Sequence, residues 1–398
     1  MHVGKITVCG GGNGAQTLVP VAARGLGCPV DVYAPFGDEA ERLRRTIRLT
    51  GAVEAEAAPH RTSADPAEVI PGSELVMLVL PAYAHEATLR QIVPFLDRGA
   101  WVGAMPARGG FDTCAAWVLE ENGREDIGIL GLQTLPWACR IQEYGRSVHV
   151  LGTKDAVDVA TRPRSRAGEM ASLLARVLGL RIDPAASLMA LTLANTGQLI
   201  HPGIMYGHFC DWDGTPFPAE DVPRFYHGLD ERGARILADL SDDIQRIRSR
   251  LEPMMDLSAV RPLQEWLVHS YGDMIDDPAS LQSAFVTNRA YEGLMAPVRE
   301  VGPGAYVPDF GARYLAEDVP FGLVASRAIA ELCGVATPMM DEVIGWAGER
   351  LGKYYLGRDS REARIPQNYG LGRLEQLIAF AADRTIAECA ISPKEERV

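Results

Sequence analysis

The run Lys5-Ile6-Thr7-Val8-Cys9-Gly10-Gly11-Gly12-Asn13-Gly14-Ala15 constrains the fold more than any other stretch. A short β-branched strand runs straight into glycines and then into a helical pattern over 15–24. Gly10, Gly12 and Ala15 stand at the dinucleotide-binding spacing. The first permits a tight turn, the second lets backbone approach a pyrophosphate, and the third brings helix against strand. Amides at the new helix's N-terminus would face the phosphates. Gly11, Asn13 and Gly14 complete the candidate cofactor loop. A glycine turn after a strand also occurs with no ligand, so the reading needs support from the rest of the chain.

The first half goes on alternating strands with helices. Strands are expected at 30–33, 75–80, 101–105 and 127–130, with a charged helix over 38–48 and another after His85. Leu75-Val76-Met77-Leu78-Val79-Leu80 is apolar throughout, as a parallel strand covered on both faces must be. Ligands of open α/β sheets collect beyond the carboxyl ends of the strands. The loops Pro81-Ala82-Tyr83-Ala84-His85, Pro106-Ala107-Arg108-Gly109-Gly110 and Leu132-Gln133-Thr134-Leu135-Pro136-Trp137 therefore belong on the cofactor side. Near Asp183-Pro184, read as a cap and first helical residue, the pattern turns helical. Ile236, Leu237, Leu240, Ile244, Ile247 and Leu251 form one apolar stripe, and Thr337-Pro338 opens a helix that Gly352 ends. The Pro- and Gly-rich stretch 301–308 reads as a loop between helices, and the polar tail 392–398 as disordered. The expected architecture is α/β: an N-terminal Rossmann dinucleotide-binding domain at 1–187, then an all-α C-terminal substrate-binding and catalytic domain at 188–398. The active site is expected in the cleft between them.

At 398 residues the chain exceeds one ordinary core, which fits two domains. A net charge of −13 argues against nucleic acid or an anionic membrane as partner. The chain opens with no charged-then-apolar leader and has no uncharged apolar run of spanning length, so a cytoplasmic protein is expected. Its seven cysteines are scattered, with no Cys-x-x-Cys pair, which argues for reduced thiols and against a structural metal.

Three further stretches bear on chemistry. Where an acid would bind the ribose 2′-hydroxyl, Ala34-Pro35-Phe36-Gly37-Asp38-Glu39 offers no base and two acids. That favours NAD, with Asp38 as candidate ligand, although Asp38 also suits a helix cap. In Asn195-Thr196-Gly197-Gln198-Leu199-Ile200-His201-Pro202, the proline should kink a helix at His201, a residue suited to exchanging a proton near neutral pH. A lone histidine beside a proline is more often a core residue. In the stretch 308–320, Arg313 is placed to hold a carboxylate or a pyrophosphate and Asp318 to orient a histidine in its protonated form. The plainer alternative makes Glu317 and Asp318 helix-start acids and Arg313 a solvated loop charge.

Taken together, these stretches resemble the opine dehydrogenases, most of all the octopine, alanopine and tauropine type. The likeness runs along almost the whole chain, through Cys9-Gly10-Gly11-Gly12-Asn13-Gly14-Ala15, Pro81-Ala82-Tyr83-Ala84-His85-Glu86, Thr134-Leu135-Pro136-Trp137-Ala138-Cys139-Arg140, Leu151-Gly152-Thr153-Lys154, His201-Pro202 and Pro308-Asp309-Phe310-Gly311 to Asp318. The Thr134 to Arg140 match is far more specific than the glycine loop. The resemblance implies reductive condensation of an amino acid with pyruvate or another 2-oxo acid by NADH. It also implies His201 as general acid/base, Asp318 as its partner and Arg313 near the cofactor phosphates, beside Pro81. Gln133, Thr134, Tyr206 and Trp266 are the candidate substrate contacts. Octopine-forming members carry an acid before Thr-Leu-Pro-Trp where this chain has Gln133, so alanine, glycine, β-alanine or taurine becomes as suitable a donor as arginine. Small-molecule partners and a monomer or small homo-oligomer are expected. Ketopantoate reductase, glycerol-phosphate or hydroxy-acid dehydrogenases, and a nucleotide-sensing module without turnover are the rival readings.

Overall fold

The computed structural model describes residues 3–356 and 363–390. The opening strand, Ile6–Cys9, is fully buried and pairs in parallel with Val30–Tyr33 on one side and Leu75–Leu78 on the other. Beyond these the sheet extends through Thr62–Ser63 at one edge and through Trp101–Ala104, Gly128–Leu132, Ala156–Arg162 and Arg181–Pro184 at the other. All pairings are parallel except Ala156–Arg162 on Gly128–Leu132. Strand order reverses about Ile6–Cys9, and a doubly wound sheet binds its ligand at such a reversal. The expected Rossmann sheet is present, with the glycine loop at its switch point.

Several local expectations fail for identifiable reasons. The charged run 38–48 is helical only over Glu39–Arg42 and then becomes the strand Ile47–Gly51. That strand joins Ala55–Ala57, Ser147–Thr153 and Trp137–Glu143 in a second, four-stranded sheet. Side chains of Ile47 and Leu49 alternate with exposed Arg48 and Thr50, a period-two pattern hidden inside a charged stretch. Asp183-Pro184 ends a strand; the helix Leu188–Ala194 is capped by Ser187, whose hydroxyl accepts from the Ala190 amide at 3.1 Å. The stretch 301–308 is no simple loop, since Val298–Gly302 and Ala305–Pro308 pair antiparallel and Phe217–Pro218 adds a third short strand.

The second half is otherwise helical, as expected. Asp230 caps Glu231–Leu251 through the Gly233 amide at 2.7 Å, and the predicted apolar stripe is its buried face. That face receives the helix Gly197–Phe209 at close range, because a Cβ at Gly203 would stand 2.7 Å from Leu237 and 2.8 Å from Leu240. Pro338–Leu351 starts with its proline in the first turn and ends at Gly352 in the left-handed region. The segment 363–390 returns to the first half. Arg364 donates to the Ala82 carbonyl at 2.9 Å, Arg162 donates to the Phe380 carbonyl at 2.8 Å, and Glu120 accepts from the Ile386 amide at 2.9 Å. The tail 392–398 lies outside the described residues. Among the described residues no helix is long and apolar enough to cross a membrane.

Candidate active site

A groove of about 770 Å³ runs from the glycine loop to the helix Gly197–Phe209. At its first end Gly10 holds a φ of +125°, and a Cβ there would stand 2.6 Å from the Val79 carbonyl oxygen. No other residue fits that turn. Gly10 and Ala15 lie behind the groove, where they let loop and helix close on the strand; Gly11, Gly12, Asn13, Gly14 and Pro81 form the wall itself. The helix Asn13–Leu26 starts from Gly12 with no side-chain cap and no acid in its first turn, so its amides are left for an anion. These residues fit a dinucleotide pyrophosphate.

Asp38 does not line the groove. Its carboxylate is 69% exposed and pairs with Arg42 at 3.6 Å, because the short helix turns it outward. The neighbouring Glu39 takes that place: it lines the wall, and with the Tyr144 hydroxyl it sits where a Cβ on Gly11 would collide. Burial first, and then the Glu39 carboxylate, push the Tyr144 hydroxyl above its ordinary range.

At the other end stands His201. The helix that carries it runs unbroken from Gly197 to Phe209, and the expected interruption falls at Asn195, which ends Leu188–Ala194 in an extended conformation. Fully buried Asn195 holds that break by donating to the Ala107 carbonyl at 3.1 Å and accepting from Arg108 at 3.2 Å. His201 Nδ1 lies 2.6 Å from Asp318 Oδ2, and Nε2 lies 3.0 Å from the Tyr226 hydroxyl. The ring stacks on Tyr314 at 4.3 Å between centroids. Asp318, behind the wall and 1% exposed, is also bound by Arg108 Nη2 at 3.0 Å, while Arg108 Nε approaches Glu317 at 3.6 Å. Burial pulls the His201 pKa below its ordinary value; Asp318 pushes it back up, and Arg108 and Arg313 push it down. Burial would raise the Asp318 pKa, but Arg108, then His201 and Arg313, hold it below its ordinary value. Asp318 thus favours the imidazolium as expected, yet its surroundings as a whole oppose it.

Arg313, 58% exposed, lines the groove between its two ends and pairs with Glu317 at 3.3 Å. Thr134 and Trp266 also line it. Gln133 and Tyr206 do not. Gln133 is buried behind Trp266, accepting from its indole N–H at 3.1 Å and donating to the Ala194 carbonyl. Tyr206 stands five positions beyond His201, roughly 140° round the helix, and its hydroxyl donates to Glu342 on the far side. Sequence reasoning passed over Arg108 and Tyr226; the signal for Arg108 was its place in a loop beyond a parallel strand, and Tyr226 had none. Among the described residues, Asp158, Asp183 and His269 could be spaced for a metal, but Arg261 holds Asp158 at 2.9 Å and Arg181 holds Asp183 at 3.2 Å. Guanidinium groups already neutralise those carboxylates.

Residues 184–351 match the family model for the NAD/NADP octopine/nopaline dehydrogenase alpha-helical domain. The chain is 36% identical over 403 residues to opine dehydrogenase of Haliotis discus hannai, across 94% of this chain and 98% of that one. It is 34% identical over 409 residues to octopine dehydrogenase of Pecten maximus, again across 94% and 98%. Octopine dehydrogenase solved with NADH and L-arginine matches at a TM-score of 0.82 and 32% identity, covering 96% of this chain and 98% of that one. The form with NADH and pyruvate matches at 0.80 and 32%, covering 94% and 98%.

Proposed function

The chain belongs to the opine dehydrogenase family and is an NAD-dependent oxidoreductase, and we propose that His201 and Asp318 run its acid–base chemistry. The reaction joins an amino acid to pyruvate or another 2-oxo acid. The amine nitrogen adds to the carbonyl carbon and the carbonyl oxygen leaves as water; NADH, when bound, would supply the hydride to the carbon of the resulting protonated imine, leaving a secondary amine. The observation that carries the proposal is the His201–Asp318 pair, 2.6 Å apart, with its imidazole in the wall of the groove that starts at the glycine loop. With Nδ1–H donated to Asp318, Nε2 is the atom left to move a proton at the carbonyl oxygen. Tyr226 stands at that atom and Tyr314 fixes the plane of the ring. Gly11, Gly12, Asn13 and Gly14 would hold the nucleotide phosphates, Arg313 would meet them from the opposite side, and Glu39 would bind the ribose. Residues 1–187 would hold the nucleotide and form part of the substrate wall, residues 188–356 carry His201 and Asp318, and 363–390 brace both, through Ala82 on one side and the Pro320 carbonyl on the other.

The test is loss of NADH absorbance with pyruvate and a panel of amino acids. Consumption should need both partners. Equal rates without the amine would point to a simple oxo-acid reductase. Nucleotide binding with no turnover for any pair would leave only a sensing module.

A further inference from the structure

Two cations that line the groove have no carboxylate partner among the described residues. Lys154 is 7% exposed, and its ammonium donates to the Leu135 carbonyl at 2.8 Å and lies 4.9 Å from the centre of the Tyr271 ring. Arg140, exposed to solvent, donates to the Cys139 carbonyl at 3.0 Å and is close enough to act electrostatically on Tyr314, the ring stacked on His201. Among the described residues neither cation has a carboxylate partner, whereas Arg108 and Arg313 both do. A buried ammonium without a counter-ion is costly, and the cost falls when a ligand brings the anion. Both side chains line the groove, so a bound substrate can reach them.

The surrounding wall does not offset these charges. Among the described residues that line it the only acid is Glu39, at the nucleotide end. Tyr271 stands beside Lys154, with Trp266 and Tyr291 in ring contact with it, a lining that offers no carboxylate to a second positive charge. Trp266 Nε1 is already spent on Gln133, and the Gln133 amide on Ala194. Resting on the opine reading, we propose that Arg140 takes the carboxylate of the oxo acid beside His201, that Lys154 takes the acid group of the amine donor, and that these two positive charges, with no carboxylate in the wall beside them, select a donor with a small or apolar side chain over a cationic one. The donor's acid group is a carboxylate or a sulfonate, either of which would satisfy the ammonium.

Steady-state rates with alanine, norvaline, taurine, arginine and alaninamide as donors, each with pyruvate and NADH, test this. Alanine, norvaline or taurine should exceed arginine in kcat/KM by at least tenfold. Lys154→Gln keeps a donor for Leu135 and should raise the KM for alanine about 10- to 100-fold, the worth of a hydrogen bond to a charged group, while leaving the KM for pyruvate near its parent value. The variant should also lose the parent's preference for alanine over alaninamide, a change that mere loosening of the fold would not produce. Arg140→Gln should do the reverse, raising the pyruvate KM more than the alanine KM. Amine-dependent turnover with arginine equal to or better than alanine, or an unchanged alanine KM in Lys154→Gln, would overturn the assignment while leaving the opine reading in place. Turnover indifferent to any amine would instead overturn that reading, and this inference with it.

Discussion

His201 is a histidine whose neighbours disagree about its charge. Replacing it with Ala should cut turnover about a hundred- to ten-thousand-fold while NADH binding, followed by fluorescence titration, survives. Condensation needs the imidazolium, so kcat/KM should fall as pH rises through a pKa that burial holds below 6.5. The reverse oxidation, which uses the neutral ring, should rise across the same interval. Asp318→Asn removes the group that pushes this pKa up, so both limbs should move to lower pH with a smaller loss of rate. Arg108 meets two buried carboxylates, Asp318 and Glu317. Arg108→Met should therefore cost about 3–5 kcal/mol in urea unfolding, the range for breaking a buried ion pair on one side. An unchanged midpoint would mean that the acids find other partners.

The elements around the groove were legible in proportion to how local their causes are. The glycine turn, the buried parallel strand and the capped helices follow from neighbours in the chain. The strand Ile47–Gly51 owes its form to pairing with Ser147–Thr153, itself half of a local hairpin with Trp137–Glu143, across about a hundred residues. Nothing local could announce that. The acid in the groove was equally hard to read: 38 and 39 are equivalent in sequence, and only the turn of a four-residue helix decides that Glu39 faces inward. Glu39→Gln should raise the KM for NADH and narrow its lead over NADPH, and Asp38→Asn should change neither; the opposite ranking in initial rates would restore Asp38. Gly10→Ala must seat a methyl 2.6 Å from the Val79 oxygen at a φ of +125°. It should destabilise the fold by roughly 1–3 kcal/mol and weaken NADH binding in the same titration.

Across the whole molecule, the segment 363–390 ties the end of the chain to the nucleotide side. Arg364, 2% exposed, reaches Ala82 and His85, and His85 also bonds the Leu80 carbonyl at 3.1 Å. Burial, then the Arg364 charge, drive the His85 pKa well below its ordinary 6.5. The unfolded chain takes up a proton below that pH that the folded one refuses. Stability should therefore be complete above about pH 6.5 and decline below it by up to about 1.4 kcal/mol per pH unit. His85→Gln should flatten that acid limb in thermal melts; an unaltered slope would assign the limb to other groups. The sequence by itself determined that this chain has a glycine-opened doubly wound sheet and a helical second half. Such features rest on period, capping and residue chemistry within one element, whereas the pairing of His201 with Asp318 was implied only by the family resemblance. Tertiary structure brought Asp318 onto His201 across 117 residues, and it alone decided that Arg108 holds the acid, that Gln133 stands behind Trp266 and that Tyr206 faces away. The direction in which a side chain points is fixed by the packing of its element against others, and that packing is not written in any short stretch of chain.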